Sequence, residues 1–107
     1  MSVPVYLTDR AFQDVDGACD WWARHRSAEQ AWRWREACVK AIDSLPGLAA
    51  TCPVVSERDE LGIELRQLAF GLGRRPSHRV VFEIRPDIIL VMRVQHLAQR
   101  ELSIDDF

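Results

Sequence analysis

The 107 residues are 48% hydrophobic and 28% charged, a balance that excludes a membrane-spanning chain, a collagen-like fibre and a disordered tail; the length fits one globular domain over residues 1–107. The formal net charge of −2 argues against a protein whose whole surface is built to attract nucleic acid. That small number is a cancellation: residues 1–65 carry 7 basic and 11 acidic side chains, residues 66–100 carry 7 and 2, and residues 101–107 carry 0 and 3. Every basic residue of the middle block is an arginine: Arg66, Arg74, Arg75, Arg79, Arg85, Arg93 and Arg100. The chain's one lysine, Lys40, lies elsewhere.

Val3, Val5 and Leu7 alternate with Pro4, Tyr6 and Thr8, the period of a strand with one face buried. Thr8 or Asp9 can then cap a helix whose apolar stripe is Phe12, Val15, Cys19 and Trp22, with Asp14, Asp16 and Asp20 largely off it, ending near His25 and Arg26. Ser27 and Gln30 form a capping-box pattern for a second helix. Its narrow apolar face is Ala31, Trp34, Cys38, Ala41, Ile42 and Leu45, and Pro46-Gly47 is expected to stop it. So short a connection predicts an antiparallel helical hairpin.

Residues 46–62 read as a polar connection without a core of its own, with Pro46, Gly47, Pro53, Gly62 and the run Glu57-Arg58-Asp59-Glu60. Three strands follow, Ile63 to Phe70, His78 to Ile84 and Ile88 to Gln95, the last two joined by Arg85-Pro86-Asp87 as a hairpin turn. Val80, Phe82 and Ile84 share one parity, whereas Ile88 through Met92 is apolar on both, so the last strand is expected in the centre of the sheet with more exposed neighbours. The predicted fold is α+β, in the order β-α-α-β-β-β, with the hairpin packed on one face of a small, mostly antiparallel sheet.

Cys19, Cys38 and Cys52 are an odd number without C-x-x-C spacing, which indicates neither a disulfide framework nor a zinc site. Cys19 and Cys38 fall on apolar helix faces as core fillers. Residues 1–8 lack the basic start and apolar run of a signal peptide, and no apolar stretch approaches the roughly 20 residues needed to span a bilayer. The expected location is cytoplasmic, with no membrane contact, no metal and no cofactor.

Several words of the sequence carry a resemblance. Glu64 to Gly71 (E-L-R-Q-L-A-F-G), His78 to Ile84 (H-R-V-V-F-E-I) and Val91 to Arg100 (V-M-R-V-Q-H-L-A-Q-R) resemble the C-terminal half of the RelE/ParE superfamily of toxins. Leu7 to Val15 and Ala41 to Pro46 are similar to its N-terminal half. The resemblance spans nearly the whole chain and implies the toxin of a type II toxin–antitoxin, or plasmid-stabilization, module. It implies a co-expressed antitoxin with a DNA-binding half, and a homodimer or a toxin–antitoxin heterotetramer. RelE-like members cut mRNA on the ribosome, whereas ParE-like members poison DNA gyrase. A third alternative is a non-toxic binding or co-repressor subunit.

RNA cleavage needs a base or orienting group at the 2′-OH, cations for the developing phosphorane charge, and an acid for the leaving oxygen. Arg66, Arg79 and Arg93 as phosphate clamps and His96 as acid or base are the candidates for such a site or for target inhibition. Where the family often has an aromatic hydroxyl this chain has His78, and where it often has a second arginine it has Gln95, so the balance favours the ParE-like action. The bland alternatives are cross-strand pairing of Arg66 and Arg79 with Glu64 or Glu83 and a core position for His96. Trp22 and Trp34 fall on the apolar stripes; Trp21 lies opposite its own stripe and Trp32 about 100° off its own. Trp21, Trp32 and Val39 are therefore the expected antitoxin or toxin–toxin contact, with cover by the 46–62 segment as the ordinary alternative for Trp32.

Overall fold

The computed structural model describes residues 3–55 and 62–98. The chain runs β1 (Val5–Leu7), α1 (Asp9–His25), α2 (Ala28–Leu48), a 3-10 turn (Ala49–Thr51), β2 (Arg66–Phe70), β3 (His78–Ile84) and β4 (Ile89–His96). The strands form one sheet in the order β1-β4-β3-β2, parallel between β1 and β4 and antiparallel elsewhere. The helical hairpin, linked by Arg26 and Ser27, packs on one face. The expected element order and fold class are those observed.

Local chemistry sets the boundaries. Thr8 caps α1: its hydroxyl accepts the Ala11 N–H at 3.1 Å and donates to the Met92 carbonyl at 2.9 Å, tying the helix start to β4. Ser27 accepts the Gln30 N–H at 3.0 Å and starts α2. Pro46-Gly47 does not stop α2, contrary to expectation. Pro46 sits inside its last turn and forfeits one bond, and the ladder resumes beyond it with the Ala49 N–H on the Leu45 carbonyl.

The main core lies between hairpin and sheet and contains Ala11, Trp34, Cys38, Leu45, Phe70, Val80, Phe82, Ile89, Val91 and Val94. On α1 the buried residue is Ala11, while Phe12 is 55% exposed; at 100° per residue Phe12 falls off the line through Ala11, Val15, Ala18 and Trp22. The 46–62 connection is less polar than expected, since Ala49, Cys52 and Val55 are buried. Val54 forms a bridge with Arg66, and Val55 packs with Leu65, Val81 and Met92 in a small second cluster. The run Glu57-Arg58-Asp59-Glu60 and the tail 101–107 lie outside the described residues.

β2 starts three residues later than Ile63, beyond a turn at Gly62 (φ +71°), and β4 is shifted one residue to Ile89–His96. β4 is interior, as its apolar run implies, but so is β3, where Val80, Val81 and Phe82 are all buried. The register slips between Val81 and Phe82, which face Arg93 and Val91, leaving Met92 as a bulge. The bulge resets the parity of β4, so that Val91 before it and Val94 after it both reach the main core.

Candidate functional site

The bulge distributes the C-terminal residues of β4. Val94 and His96 turn toward the helices, and Arg93 and Gln95 turn the other way by register with Val81 and Arg79. Arg93 then curls round the strand edge, where its Nε and Nη2 donate to Asp14 of α1 at 2.7 and 3.0 Å. Asp14 also accepts the Val94 N–H at 2.9 Å, an edge group that the short β1 does not reach. Arg93 is 7% exposed and is a structural clamp between α1 and the sheet.

On the sheet face turned away from the helices, Arg79 stands between two glutamines on the flanking strands. It donates to the Gln67 side-chain oxygen at 2.9 Å and to that of Gln95 at 3.1 Å. The row spans β2, β3 and β4 and holds a half-buried guanidinium in a fixed orientation. Glu83, its suggested partner, instead pairs with Arg85. Arg66 faces the helix side with Phe82 and donates to the carbonyls of Ala50 and Cys52, at 3.3 and 2.6 Å, with Glu64 a looser 3.9 Å away.

His96 is exposed at the end of β4, accepts the Ala98 N–H at 2.9 Å, and meets its cross-strand neighbour His78 edge-on with centroids 4.9 Å apart. His78 is buried. The Trp34 indole N–H points at its Nδ1 from 3.3 Å and Ser77 Oγ lies 2.8 Å from the same atom. An indole only donates, so Nδ1 is the acceptor and the imidazole carries its proton on Nε2. Burial first, and then the neighbouring His96, push the His78 pKa down to about 4.

These two histidines floor a groove of about 690 Å³ between α1, the β2–β3 connection and the strand ends, walled by Trp21, Trp22, Leu72 and Arg75. Trp21 is 46% exposed, packs edge-on against Trp22 and stacks on His25. Trp32 and Val39 lie on a separate surface, the outer face of α2, at 60% and 48% exposure.

The structure therefore sends the four sequence candidates to different places: Arg66 to the turn after α2, Arg79 to the far sheet face, Arg93 to α1, and His96 to the groove. Asp14, Gln67 and His78 are the positions that sequence reasoning missed. Asp14 reads as one of three solvated aspartates, and nothing local announces that β1 ends too early to pair with Val94. Among the described residues no cluster of His, Cys, Asp or Glu is arranged to hold a metal ion, and no helix is long and apolar enough to cross a membrane.

Among solved structures, a chain of the chromosomal ParDE toxin–antitoxin system from P. aeruginosa has a similar fold, with a TM-score of 0.73 and 19% sequence identity over 89% of this chain and 96% of that one. No curated protein matches the sequence. The family model described as the ParE toxin of the type II toxin–antitoxin system parDE matches residues 5–101. The match runs from β1 past the end of β4, and the chain accordingly belongs to the ParE family of type II toxins.

Proposed function

We propose that this toxin arrests growth by inhibiting DNA gyrase through a protein–protein contact and is neutralised by a cognate antitoxin. Family membership supports the target. The observation that carries the choice over mRNA cleavage is the dispersal of Arg66, Arg79, Arg93 and His96, since acid–base work on a ribose needs base, acid and cations around one phosphate. Arg79 is the residue assigned to target contact: Gln67 and Gln95 hold its guanidinium in a fixed orientation on the sheet face turned away from the helices. The Trp21 groove is assigned to the antitoxin, because exposed indole beside apolar walls is the surface that protein contacts favour.

Inducing the toxin alone in a bacterium and assaying DNA breaks and mRNA integrity separately tests the reading. Gyrase-dependent breaks with intact messages are the expected result. Messages cut at ribosomal A-site codons with intact DNA would establish the RelE-like alternative, and unimpeded growth would establish a non-toxic binding subunit.

A further inference from the structure

The outer face of α2 is used by neither assignment. Trp32, Arg35, Glu36, Val39, Lys40 and Asp43 line a depression there, spread over about 140° of the helix, with Arg35 at its rim beside Val39. Core residues Trp34, Cys38 and Leu45 occupy the opposite side. The face combines an exposed indole and an exposed valine with charges of both signs, and these charges follow a definite order along the axis.

We propose that this face is a homodimer interface, in which α2 packs antiparallel on α2 of a second copy of this chain. The argument is self-complementarity of charge. A two-fold axis perpendicular to α2 at the level of Cys38 places each residue against the one equally far on the other side of Cys38. Residues on the same flank of the face can then meet. Glu36 lies two residues before Cys38 and Lys40 two residues after it on one flank, so Glu36 meets Lys40 of the second copy, and the pairing occurs twice. Val39, one residue from the axis, meets its own symmetry mate. Trp32, six residues before Cys38, comes to lie one residue out of step with Asp43 of the second copy, five after it on the same flank, and that carboxylate can accept the indole N–H. The same face laid parallel on itself would put Glu36 on Glu36 and Lys40 on Lys40. A heterologous partner has no need of an order that is complementary to itself.

The test is sedimentation equilibrium of the purified full-length toxin over a concentration series, with circular dichroism as the folding control, because all the altered side chains are exposed. The wild type should dimerise, and Trp32→Ala should weaken the dimer about thirty-fold. Glu36→Lys and Lys40→Glu should each be monomeric, since each puts like charges together twice. An equimolar mixture of the two should dimerise again, since every pairing in the mixed dimer is opposite in sign. A monomeric wild type overturns the proposal, as does a dimer indifferent to either charge reversal or a mixture that stays monomeric. Loss of antitoxin binding by Trp32→Ala with self-association unchanged would also overturn it and return the face to the antitoxin. None of these readouts depends on gyrase, so failure here is distinguishable from failure of the target assignment.

Discussion

Asp14 and Arg93, 79 positions apart in the sequence, form a two-pronged pair at 2.7 and 3.0 Å. The same carboxylate takes the Val94 N–H, so one side chain both neutralises a buried guanidinium and completes a strand edge. Asp14→Ala takes the carboxylate from a buried cation and should destabilise the fold by about 3 kcal/mol in urea titration. Arg85→Ala, which breaks the more exposed pair with Glu83, should stay within about 0.5 kcal/mol of wild type. Equal losses would show that the Asp14 pair behaves like a surface ion pair.

Protonation of His78 opposes folding. Its folded value of about 4 lies below the ordinary 6.5, so the unfolded chain binds more protons between those limits. This contribution to stability is complete above about pH 6.5 and is lost as pH falls toward 4, by up to about 1.4 kcal/mol per unit. His78→Gln keeps a side-chain acceptor but does not titrate. Its denaturation midpoint should fall less steeply than that of wild type between pH 6.5 and 4, and parallel curves would count against the assignment.

Arg66 and Arg79 should separate structure from action. Arg66→Ala releases the carbonyls of Ala50 and Cys52 and should lower stability by about 1–3 kcal/mol. Arg79→Ala should abolish growth arrest while melting close to wild type and retaining antitoxin binding. A collapsed melting transition for Arg79→Ala would make it a structural residue.

Gly71 is fixed by close packing. A Cβ there would lie 2.9 Å from the Ser77 backbone nitrogen and 3.2 Å from the Arg75 carbonyl oxygen, in the connection whose Ser77 N–H bonds the Phe70 carbonyl. Gly71→Ala should cost about 1–3 kcal/mol. Gly47→Ala, in the last turn of α2 with nothing within 4 Å, should instead add up to about 1 kcal/mol. Thermal melts of the two variants should therefore shift in opposite directions.

Periodicity and capping chemistry make both helices, the β3–β4 hairpin and the α+β class readable from the sequence, because those signals are local. Pro46 was misleading because a proline near a helix end removes a single bond, and the Ala49–Leu45 bond lets the helix continue. The Met92 bulge was invisible because parity is counted along one strand, whereas a bulge is a property of two. The candidate site was legible only as a set of arginines. Which of them is clamped depends on partners such as Asp14, Gln67 and Gln95, and sheet order decides those pairings.

That sheet order has a consequence for biosynthesis. β4, the last of the described strands in chain order, lies between β1 and β3, and Thr8 after β1 bonds Met92 in β4, 84 positions later. A nascent chain can form the helical hairpin early, but its apolar face has no complete sheet to cover it until β4 has been synthesised. The Gln67–Arg79–Gln95 row likewise lacks its third member until then. A nascent chain that stops short of β4 therefore lacks both the cover of its helical hairpin and the third side chain of that row, and the fold is completed in one late step.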